Sequence, residues 1–518
     1  MFPCQTRASE TRLGQLLSQY KGTLVGNFGR VNQEFRRRTQ HIPRLGLGLS
    51  VDVYSPDLFE VMRRFSGEEC RPAYLEIFRA TVTALRSVRR NIPAVPLTYH
   101  GEGLWVTQPD FALVPFVEEE LDDVASQLAI LGSPWLNHEC AAKQMAGYSF
   151  GTYLPPLYTA ESAKVVASNI ALVQEKMDRA CRSEDAFGPL FLLEMPPLTY
   201  FMAGTMSVPE YFRFVTELVP CGLVLDIGHL WTVYRYTVAR WQSSLEDFVD
   251  RFLNDFPMER VIEVHVAGLA QHEAAIRCRS QDARPEWIDA HASPIQSVSW
   301  MILEQVLTHP RLINLRGVAL EVDTKPIDTI AEEFHEASLR FGHLIRRRLA
   351  TGSTTIDSVL QVTEWSPEDT IVSDAERHRL QADYVRYAQI VTGQQPPAGP
   401  QWQGVAEDPT GLDRYIHDYL PHEILYWGGA ITELFPETCR AMSEMGMSLE
   451  EFVPWWFQKA RSVDRPYDFF LLKIDRVLDF VAERAPTLLK AAEREADSLR
   501  IAYADANETV RPSMEPTR

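Results

Sequence analysis

Short apolar runs recur along the first two thirds of the chain, and amphipathic stretches with helical spacing separate most of them. The sharpest run is Leu223-Val-Leu-Asp226-Ile-Gly-His229-Leu, which ends on an acid and places a histidine three residues later. A strand of a parallel sheet, buried on both faces, reads this way. Seven further runs read similarly: 46–50, 74–78, 95–104, 134–139, 190–194, 261–268 and 318–323. Most of these also contain or end on His, Glu or Asp. Helical patterns over 208–218, 245–255, 298–307 and 327–349, a long one over 160–182 and another running to residue 90 fall between the strands. Eight strands alternating with helices predict an α/β fold, a closed (β/α)8 TIM barrel. In such barrels the working residues sit at the carboxyl ends of the strands.

Near residue 350 the pattern changes. Residues 351–375 read as a Thr/Ser-containing linker, and 394–404 as an irregular stretch rich in Pro, Gly and Gln. Helical patterns over 375–391, 412–434, 448–459 and 469–504 predict a smaller, mainly helical C-terminal domain; Tyr415, Leu420, Ile424, Tyr426 and Trp427 carry the apolar spacing of the second. The expected organisation is a polar leader over 1–43 with one helix near 11–20, a metal-binding barrel domain over 44–350, and the helical domain over 375–505. The tail from Asn507 is too polar to pack.

The chemistry falls at the predicted strand ends. The candidates are His100, His138, Glu194, Asp226 with His229, His265, then Asp289 and His291 from the loop after the seventh strand, and Glu321. A single histidine at a strand end is more often a hydrogen-bonded structural residue than a ligand. Nine ligand-type residues on successive strands, with Asp-x-x-His and Asp-x-His spacings, point to a metal cluster. Carboxylates converging on one mouth would take up protons unless cations lay between them. Nine side chains also exceed what one ion coordinates, so two or three ions bridged by a carboxylate are expected. Mixed His/Asp/Glu ligation suits iron, manganese or zinc. No phosphate-binding Gly-rich loop, C-x-x-C pair or nucleophile elbow is present, and no residue stands out as the catalytic acid, base or nucleophile.

Composition changes the picture at three points. A formal net charge of -19 opposes binding to phosphate backbones, so no nucleic-acid partner is expected. No apolar run reaches the roughly 18 residues of a membrane helix, and the opening MFPCQTRASETR lacks the apolar core of a secretory signal. Cys4, Cys70, Cys140, Cys181, Cys221, Cys278 and Cys439 show no paired spacing and read as reduced thiols, as in a cytoplasmic protein.

The ligand order resembles that of endonuclease IV and its xylose-isomerase-like barrel relatives, in which the set holds three zinc ions. That resemblance implies Glu194 as a bridging carboxylate, with His100 and His138 on its first ion. Asp226, His265 and Glu321 would hold the second, and His229, Asp289 and His291 the third. The surrounding sequence is similar to another branch of the superfamily: the multinuclear non-haem iron-dependent oxidative enzymes typified by the methanobactin-biosynthesis oxidase. The matching pieces are Leu97-Thr-Tyr-His100-Gly, Leu154-Pro-Pro-Leu-Tyr-Thr159, Leu192-Leu-Glu194, Leu225-Asp226, Glu263-Val-His265-Val-Ala-Gly268, Ile288-Asp-Ala-His291 with Pro294 and Trp300, and Leu320-Glu-Val-Asp323. Together they cover about residues 44–335. The chain departs from that pattern near Val53 and Ala80, at Asn137 and Met195, and at His229, where the family often has asparagine.

This second resemblance implies an enzyme, a non-haem iron oxidoreductase in natural-product (RiPP) biosynthesis. It would use O2 to modify a ribosomally made precursor peptide, at cysteine, with two or three iron ions of mixed Fe(II)/Fe(III) valence; zinc or manganese are the alternatives. Leu434-Phe-Pro436 and Phe452-Val-Pro454-Trp-Trp456 resemble the partner proteins that hold the substrate peptide, which implies a fused partner domain. Glu102, Glu139, Glu263 and Asp323 lie beside ligands and are expected to orient them. Tyr99 and Trp105 are expected in the pocket or the core, and Lys325 facing a substrate carboxylate or solvent. The rival readings are a trinuclear-zinc phosphodiesterase, which the charge opposes; a sugar isomerase or epimerase with one divalent ion; and a non-catalytic peptide-binding metalloprotein, which would have no open coordination position.

Overall fold

The computed structural model describes residues 21–67, 70–114, 116–181, 187–273, 285–351, 365–458, 460 and 469–509. The strands are β1 (Gly46–Val51), β2 (Leu75–Phe78), β3 (Leu97–His100), β4 (Trp135–Glu139), β5 (Ala142–Met145), β6 (Tyr148–Leu154), β7 (Leu190–Glu194), β8 (Gly222–Asp226), β9 (Val261–Val266), β10 (Leu269–Gln271), β11 (Trp287–Asp289) and β12 (Gly317–Glu321). Eight of them close a parallel barrel in the order β1-β2-β3-β4-β7-β8-β9-β12 and back to β1. These are the eight predicted strands. The other four form antiparallel pairs outside it, β5 with β6 and β10 with β11. Neither pair is expected from the apolar pattern: β5, β10 and β11 are short and only partly buried, and the seven-residue β6 lacks a regular alternation of burial.

Alternation of side chains decides what fills the barrel. At the amino end, Phe35, Ile42, Tyr74, Trp135, Leu190, Leu192, Val224, Ile262 and Ala319 form a buried apolar floor. Phe35 comes from the helix Lys21–Gln40, which seals this end. Arg38 of the same helix holds Asp178 through two hydrogen bonds of 2.6 and 2.8 Å. The expected leader helix at 11–20 lies outside the described residues, and the helix at 21–40 is a packed part of the barrel. Gly48 and Gly317 serve the floor: a Cβ at either would collide with the Tyr74 ring. At Gly48 the added Cβ would also meet the Tyr74 backbone oxygen, at 2.7 Å.

Most crossover helices match the predicted spans: Val82–Asn91, Ala160–Cys181, Val208–Leu218, Leu245–Asp255, Ser297–Thr308 and Ile327–Thr351. Val117–Leu131, between β3 and β4, carries three acids in its first turn and a buried Glu120, so its apolar stripe is less visible in sequence. Ile227–Arg235 starts directly at the end of β8, with Asp226 as its N-cap.

The C-terminal region is helical, as expected. The predicted 412–434 helix is broken, into Thr410–Arg414, the π-turn Tyr415–Tyr419, Leu420–Tyr426 and Ile431–Leu434, with Gly428 and Gly429 in positive φ. The 469–504 span divides before Pro486. These helices pack on loops at the carboxyl end of the barrel. Trp456 Nε1 donates to Ser149 O at 3.0 Å, and Tyr387 Oη to Pro155 O at 3.1 Å. Phe201 packs edge-on against Tyr387 and Tyr415. One apolar cluster runs continuously from the barrel's outer layer into these helices. Among the described residues no helix is long and apolar enough to cross a membrane.

Candidate metal centre

At the carboxyl end of the barrel, eight of the nine candidate side chains converge. Glu194, the last residue of β7, is the hub. Its Oε2 faces His100 Nε2 at 3.3 Å and accepts from Asn137 Nδ2 at 2.7 Å. Its Oε1 faces His265 Nδ1 at 3.3 Å and His229 Nδ1 at 3.8 Å. His265 Nδ1 also lies 3.2 Å from Glu321 Oε1. Asp289 and His291, from β11 and the loop after it, close the far side: His291 Nε2 is 2.9 Å from Asp289 Oδ2 and 3.4 Å from Glu321 Oε2. His229 Nε2 sits 3.7 Å from both Asp226 Oδ1 and Asp289 Oδ2.

The four imidazoles share one arrangement. Each has one nitrogen held by an oxygen outside the cluster and the other aimed at the cluster carboxylates. His100 Nδ1 donates to Gly101 O (3.1 Å), His229 Nδ1 to Met195 O, and His291 Nδ1 to Asp323 Oδ2 (3.0 Å). His265 is turned over: its Nε2 meets Glu76 Oε2 at 2.9 Å, leaving Nδ1 for the cluster. An outside acceptor of this kind selects the tautomer and orients the ring of a metal ligand.

His138 is arranged differently. Its Nδ1 donates to Glu139 O at 2.9 Å and its Nε2 accepts from the Leu104 backbone N–H at 3.0 Å. The lone pair that would bind an ion is engaged, and the ring belongs to none of the groups described next. Burial, together with the nearby charge of His100, holds its pKa down to about 4, so it is neutral.

Among the described residues of the barrel, four overlapping groups have ligand atoms all within 4.8 Å of one another: His100, Glu194 and His265; Glu194, Asp226, His265 and Glu321; Asp226, His229 and Asp289; and Glu76, Glu263 and His265. Their electrostatics are those of a site made for cations. Burial pulls the His100 pKa down, but Glu139, Glu194 and Glu76 outweigh it and push it up to about 10. His229 reaches about 10, burial being overcome by Asp226 and Asp289. Burial, with Glu321, Asp289 and Glu194 nearby, drives Asp226 well above the usual carboxylate range despite His229. Asp226 Oδ2, Asp289 Oδ1, Glu321 Oε2 and the cluster-facing His265 Nδ1 are buried with no hydrogen-bond partner. Buried polar atoms left without one require an explanation, and a bound ion supplies it. The donor set is nitrogen and carboxylate oxygen, which fits divalent iron, manganese or zinc.

The apolar pattern does not reveal Glu76. It sits in the interior of β2, between the floor and the cluster, where an acid within the inward-facing series Tyr74, Glu76, Phe78 is the only sequence signal. Below it Tyr74 Oη donates to Glu263 Oε1 at 2.5 Å, and Glu263 Oε2 lies 3.6 Å from His265 Nε2. Of the four acids expected to orient ligands, Asp323 and Glu263 meet His291 and His265. Glu139 bonds His138 through its carbonyl, and Glu102 instead pairs with Lys143 and Tyr153. Tyr99 is core, donating to Gln127. Trp105 stands edge-on to His138. Lys325 is buried against Glu333 at 2.7 Å and faces neither solvent nor the cluster.

Residues 45–339 match the family described as RiPP precursor modification enzyme MbnB/TglH/ChrH. The chain belongs to this family. Curated relatives are similar over about half of the chain: a UPF0276 protein of Rhizobium meliloti is 28% identical over 279 residues, 52% of this chain and 74% of the relative. A UPF0276 protein of Caulobacter vibrioides is 22% identical over 255 residues, 49% of this chain and 79% of its own. Among solved structures, endonuclease IV from Thermus thermophilus aligns over 59% of this chain and 99% of its own at 17% identity, with a TM-score of 0.33. A D-tagatose 3-epimerase-like protein aligns over 58% and 99% at 14% identity, with a TM-score of 0.37. At those scores the two structures carry no argument here. The family match covers every strand of the barrel and all eight converging residues, and stops before the C-terminal helices.

Proposed function

We propose that this member of the family is a multinuclear iron oxidoreductase that uses O2 to modify a ribosomally synthesised precursor peptide, at cysteine. The observation that carries the reading is the set of buried, unpartnered ligand atoms on Asp226, His265, Asp289 and Glu321, all at one barrel mouth. His100, Glu194, Asp226, His229, His265, Asp289, His291 and Glu321 are the proposed ligands, with Glu194 bridging. Iron held there would supply the one-electron and O2 chemistry that side chains lack. Asn137 fixes the Glu194 carboxylate, Glu76 and Asp323 fix the rings of His265 and His291, and His138 anchors the loop at Leu104 beside His100. Two ions sharing Glu194 need its two oxygens to point apart, and the separate contacts of Oε1 and Oε2 support that.

In this reading the barrel, residues 44–350, is the catalytic unit. Residues 375–505 are read as a fused peptide-holding region, and the packing of these helices on loops at the carboxyl end of the barrel supports that. The compartment is the reducing cytoplasm, in keeping with the free cysteines Cys70, Cys140, Cys181, Cys221 and Cys439 among the described residues.

The test is metal analysis of protein purified without oxygen, followed by O2 uptake with a candidate cysteine-containing precursor peptide. More than one iron per chain with peptide-dependent O2 consumption is the expected result. Three zinc ions per chain and no oxygen uptake would replace this reading with the hydrolase.

A further inference from the structure

A second group of ligand-type side chains lies away from the barrel mouth, where the C-terminal helices meet the β10–β11 arm. His272 follows β10 directly, and His422 and Glu423 lie on the helix Leu420–Tyr426. His272 Nε2 is 3.0 Å and His422 Nδ1 is 3.3 Å from the same oxygen, Glu423 Oε1. The three ligand atoms lie within 4.8 Å of one another. Glu423 is buried, and both histidines are largely so.

The geometry points to a structural or regulatory divalent-cation site of the zinc type, held by His272, His422 and Glu423. Adjacent residues on a helix do not face each other. The convergence of His422 and Glu423 on a ring from a distant segment is therefore a built feature of the interface. Two imidazole nitrogens sharing one carboxylate oxygen require both to be protonated there if no cation is present. A neutral imidazole does this in the tautomer with its proton on the facing nitrogen; in the other tautomer it presents a lone pair there, and a cation at the focus of the two satisfies all three groups. Outer partners are in place as well. His422 Nε2 faces Glu273 Oε2 at 3.5 Å, as the second nitrogen of a metal-bound histidine commonly faces a carboxylate. The rings of Tyr419 and Tyr426 flank the imidazoles, with centroids 4.6 and 4.9 Å away.

Such an ion would clamp the C-terminal region to the arm that carries Asp289, since Leu269 of β10 pairs with Asp289 of β11. The test uses the full chain with ZnCl2 as the probe. His422→Gln should bind about one zinc fewer per chain than the parent, as counted by elemental analysis after desalting. Equal counts would overturn the site. Crystals of the unaltered chain soaked in zinc give a readout that needs no variant. An anomalous peak between His272, His422 and Glu423 is expected, and filled barrel sites with no peak there would remove the proposal while leaving the barrel centre untouched.

Discussion

The two ends of the barrel interior are made from the same strands and could hardly differ more. The amino end is closed by Phe35, Tyr74, Trp135, Leu190, Leu192 and Ile262, packed against one another. The carboxyl end, a few residues further along each strand, gathers His100, Glu194, Asp226, His265 and Glu321 with several ligand atoms unpartnered. Glu76 and Glu263 mark the boundary, because their carboxylates rise from the floor to meet His265. The contrast separates stability from chemistry. A hydrophobic floor contributes folding energy by burial, whereas a mouth of like charges costs stability unless cations or protons compensate it. The floor therefore supports the mouth.

Variants can test this division. His265→Ala should lower turnover by at least about 100-fold, more than loss of an outer partner alone, while the far-UV spectrum stays native. Unchanged turnover would take the residue out of the centre. Phe35→Ala at the floor should cost about 3–5 kcal/mol of stability in urea unfolding, with the metal count per folded chain unchanged. A loss of metal at constant fold would show that the two ends are not separable. Glu76→Gln, at the boundary, should weaken metal binding by about 10–100-fold, measured by competition with a chelator. His138→Gln should weaken it by less than about tenfold; a larger loss would return His138 to the ligand set.

Acidity should move the loaded and metal-free forms in opposite directions. In the metal-free chain His100 and His229 have pKa values of about 10, above the ordinary 6.5. Their contribution to stability is then complete below about pH 6.5 and is lost as pH rises toward about 10. In the loaded chain the same nitrogens must be unprotonated to hold metal, so stability falls on acidification. Thermal unfolding of both forms from about pH 6 to 10 checks this, and parallel curves would refute it.

The β/α alternation and the placing of acids and imidazoles at strand ends were legible because both are local properties. An apolar run ending on an acid, as in Leu223–Asp226, carries its own signature of a buried strand with a polar terminus. The helix Val117–Leu131 and the arms β5–β6 and β10–β11 were not legible, since acidic first turns and short half-exposed strands leave no clear period.

By itself the sequence determined the barrel, its polar mouth and the identity of the donor atoms, because residue type and spacing along one strand suffice for these. Only the tertiary structure decided which nitrogen of each histidine faces inward. Glu76, Met195 O and Asp323 set that choice for His265, His229 and His291, and the Leu104 N–H closes off His138. Each of those partners sits on a different element, far along the chain from the ring it holds. Nothing in a one-dimensional pattern records a hydrogen bond between separate strands and loops.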